Sequence, residues 1–408
     1  MKILHTSDWH LGQHFMGKSR QNEHAAFIDW LLNTVKTHAI DAVIIAGDVF
    51  DTGAPPSYAR ELYNRFIVAM NQLKCPLIIL AGNHDSVATL NESKGLLAYL
   101  NTHVIAAPDE DCSQQVLTVN NRQGEPGALV CAIPFIRPKD VLKSQAGESA
   151  GDKQQALGQA IAAHYQQVYQ AALTKKAELG LALPIIATGH LTAMGVKSSE
   201  SVREIYIGTL DGFAASEFPA ADYIALGHIH RPQFVAKSEH IRYCGSPIAL
   251  SFDELGSEKQ VLVAEFELDK LLSVSPILVP SFQAMAVIKG NLQQIEQALN
   301  EFKANTVQTW LCIEVQTDDY LSDLQQRIAE LCQDLPVEVL QLRRARNARQ
   351  TALNQEQQEV LTELSPTDVF ERRLAEEPVQ NEAQQLRLNR IRQQFATIVA
   401  KVAQGEHN

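Results

Sequence analysis

Five short apolar runs set the pattern of the chain, and each ends abruptly in polar residues able to bind a cation. Lys2 to Gly12 reads KILHTSDWHLG, an extended run that releases Asp8, Trp9 and His10. DAVIIA (41–46) leads into Gly47 and Asp48, and PLIILA (76–81) into Gly82, Asn83, His84 and Asp85. PIIAT (184–188) ends at Gly189 and His190, and YIAL (223–226) ends at Gly227, His228, Ile229 and His230. Runs this short, nearly continuous and rich in β-branched residues or leucine suit strands covered on both faces.

Between the runs the period changes to that of helices. Phe27, Leu31 and Val35 predict an amphipathic helix over 22–37. Ser57 reads as the N-cap of a second helix reaching Leu73, with Tyr63, Phe66 and Met70 on one side. Further helices are expected over 91–100 and 152–179, and strands over 104–134 lead to a second sheet. HIRYCGSPIALSF and KQVLVAEFEL add strands that close a first domain by about Pro276, and SVSPILVPSF, with two prolines, reads as a linker. From Ala284 to Arg344 the order is strand, helix (291–304), strand, helix (321–332), strand. The expected fold is α/β: a two-sheet core flanked by helices (1–276), a small α/β domain (282–345), and a linker with a helical tail (346–408). In the tail, Ser365 and Pro366 open one helix, and Leu388, Ile391, Phe395, Ile398 and Val402 form a seam suited to a partner helix.

The chemistry lies at the strand ends. A carboxylate and an imidazole two positions apart, as in Asp8 and His10, can face one point, and the carboxyl edge of an open α/β sheet is where ligands bind. In four of the five runs a glycine directly precedes the polar group, which permits the close backbone approach a crowded cluster needs. Asp8, His10, Asp48, Asn83, His190, His228 and His230 combine carboxylate, amide oxygen and imidazole, which suits manganese, iron or zinc better than calcium. The set is too large for one tetrahedral ion and fits two ions sharing Asp48. Two ions roughly 3.5–4 Å apart serve phosphoryl displacement, so hydrolysis of a phosphate ester is expected. His84, beside Asn83 and with a side chain that titrates near neutral pH, is the candidate for proton transfer.

Composition bounds this picture. A chain of 408 residues, 45% apolar, calls for two or three domains. No stretch approaches the ~20 apolar residues of a membrane helix, and no secretory signal precedes Asp8, so a cytoplasmic protein is expected. The six cysteines are scattered and read as reduced. A net charge of −12 opposes a broadly basic nucleic-acid surface. Lys18, Arg20, Arg60, Arg203 and Arg231 follow the motifs and are the local candidates for phosphate contact.

In these residues the chain resembles the calcineurin-like metallophosphoesterases, whose D-x-H, G-D, G-N-H-D, G-H and G-H-x-H pattern stands complete and in order. SDWHLG, AGDVFDTGAPPSYAR, LAGNHDSVATLNES, ALGHIHRPQ and YCGSPIALSFDE narrow the resemblance to the SbcD-type nucleases of double-strand-break repair. The resemblance implies a metal-dependent DNA nuclease, acting as exonuclease on duplex ends and as endonuclease on single strands and hairpins, in repair, recombination and replication. It implies that Asp8, His10, Asp48 and His230 hold one manganese ion, and that Asp48, Asn83, His190 and His228 hold the second. His84 would act on the phosphate with Asp85 orienting it. The small α/β domain would cap the substrate, the region of the second helix would form a homodimer contact, and the tail would dock an SbcC-type coiled-coil ATPase. The chain has no glycine-rich nucleotide loop, so ATP dependence would come from that partner. A phosphodiesterase for small diesters and a catalytically dead scaffold are the competing readings. The extra domain and helical seam weigh against the first, and the full set of ligand types against the second.

Overall fold

Unbroken apolar runs form two central sheets because both of their faces are covered. The computed structural model describes residues 1–142, 150–205, 212–316 and 324–344, with 390–391 and 394–395. The strands begin with β1 (Lys2–Thr6), a hairpin of β2 (His14–Phe15) and β3 (Lys18–Ser19), β4 (Ala42–Ala46), β5 (Leu77–Leu80) and β6 (Thr102–Ile105). They continue with β7 (Val116–Asn120), β8 (Pro126–Cys131), β9 (Ile185–His190), β10 (Tyr223–Gly227), β11 (Gln233–Val235), β12 (Ser238–Tyr243), β13 (Gln260–Glu267) and β14 (Lys270–Leu278). The first sheet has the order β14-β13-β1-β4-β5-β6 and the second β11-β12-β10-β9-β8-β7. Strands β1, β4, β5 and β6 run parallel, as do β8, β9, β10 and β12, while antiparallel strands finish the edges.

The two sheets pack face to face. In β4, Ala42, Ile44 and Ala46 join Ile186, Tyr223 and Ala225 of the second sheet in the shared core. Val43 and Ile45, alternating with them, meet α1 (Gln21–Thr37) and α2 (Ser57–Gln72) on the outer side. The second sheet's outer face is covered by the long helix Ala150–Leu179. Each fully buried Ile, Leu or Val stabilises this arrangement by roughly 1.5–3 kcal/mol. Phe27, Leu31 and Val35 of α1, and Tyr63, Phe66 and Met70 of α2, are buried in that layer. The apolar stripe of α2 therefore packs on the sheet, and its opposite face carries Arg60, Glu61, Asn64 and Arg65.

Several boundaries differ from expectation for local reasons. Pro56, not Ser57, occupies the N-cap of α2, and Ser57 is the first helical residue. The helix expected over 91–100 is two short ones, α3 (Val87–Asn91) and α4 (Lys94–Ala98), with α3 capped by Ser86. Asn91, Ser93 and Gly95 are weak helix formers that favour such a break. The supposed linker over 273–282 is mostly strand: Pro276 lies within β14, opposite Leu262. Since β14 is the edge of its sheet, a residue without an N–H is tolerated there.

A third sheet, β15 (Met285–Gly290), β16 (Thr309–Val315) and β17 (Val337–Arg344), lies in that order. Leu292–Leu299 and Leu324–Cys332 form helices against one face, burying Ile295, Leu299, Leu324 and Ile328 with Leu311 and Ile313. The first of these starts at a capping box of Asn291 and Gln294 and gives way to a 3-10 turn at Asn300, short of the expected Ala304. The other face packs on the β2–β3 hairpin: Phe15 stacks on Trp310 with ring centres 5.9 Å apart, and Phe252 completes the cluster. The described residues of 1–315 and 324–343 thus form one compact unit. Of the second unit, residues 390–391 and 394–395 are helical. The helix expected from Ser365 and most of the seam lie outside the described residues. Among the described residues no helix is long and apolar enough to cross a membrane.

Candidate metal centre

The five strand ends meet, although they come from different sheets. β1, β4 and β5 of the first sheet deliver Asp8, His10, Asp48, Asn83 and His84, while β9 and β10 of the second deliver His190, His228 and His230. Backbone bonds tie the motifs together: Asp8 N donates to Gly47 O (3.0 Å), His10 N to Asp48 O (3.1 Å) and His228 N to the Asp8 carboxylate (2.9 Å). Asp8, His10, Asp48 and His228 all hold positive φ, of 55°, 47°, 49° and 94°. Four non-glycine residues in a disfavoured region at one place mark a backbone bent to aim side chains.

The preceding glycines answer a steric need. A Cβ on Gly82 would stand 2.1 Å from Asp48 Oδ1, and one on Gly47 2.2 Å from His190 Nδ1. The volume a methyl group would fill is already taken by candidate ligands from neighbouring strands.

Donor atoms of Asp8, His10 and His230 lie within 4.8 Å of one another, as do those of Asp48, His190 and His228, and those of His10, Asp48 and His84. Asp48 faces both sides, its Oδ2 lying 3.2 Å from His190 Nε2 and 3.6 Å from His10 Nε2. Asn83 Oδ1 is 3.0 Å from both His190 Nε2 and His228 Nδ1. Burial alone would raise the Asp48 carboxyl, but the surrounding histidines, His190 first, hold it well below the usual carboxylate range. Burial would lower His190, but Asp48 outweighs it and pushes the imidazole up to about 9. The cluster is built around a persistent anion.

A test of metal fitness comes from unsatisfied atoms. His10 Nε2 and His228 Nε2 are buried without a hydrogen-bond partner. An unpaired buried polar atom costs about 1–3 kcal/mol, and a cation beside Asp48 would satisfy His10 Nε2, which lies 3.6 Å from the Asp48 carboxylate. On three histidines the other nitrogen is occupied. His10 Nδ1 meets Asp51 Oδ1 (3.1 Å), His190 Nδ1 the Ala46 carbonyl (2.9 Å) and His230 Nδ1 the Ser201 hydroxyl (2.6 Å). Such partners leave Nε2 as the free electron pair, the arrangement of metal-binding histidines.

One expected contact is replaced. Asp85 accepts from Gly82 N (2.8 Å), Phe50 N (2.9 Å) and Val49 N (3.1 Å), so it ties the second motif to the third. The His84 ring is instead held by the Asp51 carbonyl, 2.7 Å from its Nδ1. Asp85 turns inward because its carboxylate can collect three amide protons in the loop. Burial and the Asp48 charge still push it up to about 6. His84 is shifted below the ordinary histidine range, chiefly by burial, against the pull of Asp48.

Sequence reasoning missed Asp51, Ser201 and Glu254. Asp51 stands three positions after Asp48, and Glu254 closes the YCGSPIALSFDE motif, yet nothing in either pattern says which imidazole it serves. The basic candidates are also redistributed. Arg20 is buried against Glu23 and the Ala249 carbonyl, while Lys18 pairs with Glu338, Arg60 with Glu92 and Arg231 with Asp253. Arg203 is exposed, and its charge is felt at Asp51 and His84.

The sequence is similar to those of known proteins. The family model described as calcineurin-like phosphoesterase matches residues 1–232, and one described as type 5 capsule protein repressor C-terminal domain matches residues 281–377. The chain is 54% identical to the SbcD subunit of nuclease SbcCD from Escherichia coli (strain K12), with 100% of each chain covered. It is 30% identical to the protein of that name from Bacillus subtilis (strain 168), over 79% of this chain and 81% of the relative. Against the Rhodobacter capsulatus relative the identity is 32%, over 65% and 66% respectively.

Proposed function

The chain belongs to the calcineurin-like phosphoesterases and, within them, to the family of the SbcD subunit of nuclease SbcCD, and from that membership we propose that it is a manganese-dependent deoxyribonuclease. It is a phosphodiester hydrolase. The supporting observation is the convergence of the five strand ends: donor atoms of Asp8, His10 and His230 cluster on one side, those of Asp48, His190 and His228 on the other with Asn83 beside them, and Asp48 also reaches His10. Asp8, His10, Asp48 and His230 would hold one ion, and Asp48, Asn83, His190 and His228 the other. When bound, a pair of divalent ions supplies Lewis acidity to the scissile phosphodiester and acidifies water.

The chain's own residues do the rest. Asp48 offers its carboxylate to both groups. Asp51 and Ala46 fix the rings of His10 and His190, so their Nε2 atoms need no reorganisation on loading. His84 Nδ1–H donates to the Asp51 carbonyl, which leaves Nε2 at the cluster edge to give or hold a proton for the departing oxygen. Asp85 holds the loop that carries Asn83 and His84 against the Asp48 turn. Arg203 lies on the His84 side, suited to an incoming phosphate backbone.

The substrate reading is DNA, cleaved as an exonuclease at duplex ends and as an endonuclease on single strands and hairpins. We read 1–276 as the nuclease domain, 282–345 as a substrate-framing domain and 346–408 as the segment that binds an SbcC-type ATPase. The assembly would be a homodimer within a heterotetramer, acting in the cytoplasm in repair, recombination and replication.

Replacing His84 by alanine tests the core of this reading. The variant is expected to retain two manganese ions by metal analysis while cleavage of duplex DNA falls about 10²–10⁴-fold. Unchanged cleavage would remove His84 from the chemistry. Faster turnover of a small chromogenic diester than of DNA by the unmodified protein would favour a small-diester phosphodiesterase instead.

A further inference from the structure

Of the Nδ1 partners of His10, His190 and His230, the first two are a motif aspartate and a main-chain carbonyl. The third, at His230, is different: it leads away from the cluster into a buried ion pair. His230 Nδ1 is 2.6 Å from Ser201 Oγ, and the Ser201 hydroxyl donates to Glu254 Oε1. The Glu254 carboxylate is fully buried and also accepts from Ser199 Oγ (2.8 Å), Leu250 N (3.0 Å) and Lys259 Nζ (2.6 Å). Lys259 Nζ in turn donates to the His230 carbonyl (3.1 Å) and to Ser246 Oγ (2.8 Å). The pair thus grips His230 by its main chain through Lys259 and by its ring through Ser201, with Glu254 Oε1 itself 3.4 Å from His230 Nδ1.

Proton counting fixes the direction of this chain. Lys259 Nζ and Leu250 N, which can only donate, both point at the Glu254 carboxylate, and Ser199 Oγ donates to it as well, so Glu254 is the acceptor of this network. The Ser201 hydrogen therefore points to Glu254, and Ser201 Oγ is left to accept from His230 Nδ1–H. Only one tautomer of His230 satisfies both bonds, and it places the Nε2 electron pair toward Asp8 and His10. A buried ion pair contributes little net stability after desolvation, so the main consequence of this one is the geometry it imposes on its neighbours.

We propose that Ser201, Glu254 and Lys259 are positioning residues that set the tautomer and orientation of His230, and so tune cation affinity at the Asp8–His10–His230 half of the centre without touching the other half. The proposal rests on the metal-centre reading above and extends it to residues far from the strand-end motifs.

The test is titration of the metal-free full-length chain with Mn2+, followed by calorimetry and electron paramagnetic resonance. The unmodified protein should take up two ions and show the signal of an exchange-coupled pair. Ser201→Ala removes the relay but leaves the Glu254–Lys259 pair intact, so the fold is expected to survive. One of the two affinities should fall about 10–100-fold, the range typical of lost outer partners of a ligand. At sub-saturating Mn2+ the coupled signal should give way to that of an isolated ion. Ser201→Thr, which keeps the hydroxyl, should restore both. Wild-type affinities at both sites in Ser201→Ala would overturn the positioning role while leaving the two-ion reading in place. Equal loss at both sites would overturn it as well, since a general structural defect would then explain the result. A parent protein that binds no Mn2+ would overturn both readings together.

Discussion

At the residue scale, the centre depends as much on missing atoms as on present ones. Gly47 has φ +93°, and a Cβ there would stand 2.2 Å from His190 Nδ1. Gly47→Ala must either push the ring away or strain the turn that presents Asp48. The expected cost is about 1–3 kcal/mol of stability, read by chemical denaturation, together with weaker cation binding at the half that contains His190. A variant that binds Mn2+ as the parent does would mean the ring has room to retreat. The same reasoning explains why adjacency in sequence points Asp85 at a partner it does not have. The residue type at that position is compatible with steering an adjacent histidine, but a carboxylate with three amide donors in reach turns to them, and the carbonyl of Asp51 takes the imidazole.

At the scale of elements, the β2–β3 hairpin links chemistry to architecture. It follows directly on the segment that carries Asp8 and His10, and its Phe15 stacks on Trp310 of the third sheet. Phe15→Ala should remove about 3–5 kcal/mol of packing, felt at the contact with the third sheet before anywhere else. Hydrogen exchange is expected to quicken in β15 and β16 while β4 and β5 keep their protection. Uniform protection throughout would show that the third sheet is held by other contacts. The elements also reveal where periodicity misleads. Pro276 marked a linker because proline is rare in strands, yet it lies in a strand, on an edge where the missing donor has no partner to lose.

At the scale of the whole molecule, charge is the main constraint. The chain carries a net charge of −12, and several of its motif-proximal cations are engaged by carboxylates. Phosphate attraction by this chain alone is therefore expected to be weak, with a partner supplying most of it. Ending the chain before Ser365 should abolish capture of a purified SbcC-type ATPase in a pull-down while manganese-dependent cleavage of DNA continues near the parent rate. Retained capture would move the docking site to the described unit. What the sequence by itself determined is the inventory: five buried strands, known by their lack of alternation, and the oxygen and nitrogen donors at their ends, known because cation chemistry admits few residue types. The tertiary structure decided how that inventory is shared. That β1, β4 and β5 lie in one sheet and β9 and β10 in another depends on pairing between strands far apart in the chain. That Ser201 and Glu254 stand behind His230 depends on two loops meeting, and neither relation leaves a local trace, because hydrogen bonds and packing act through space rather than along the chain.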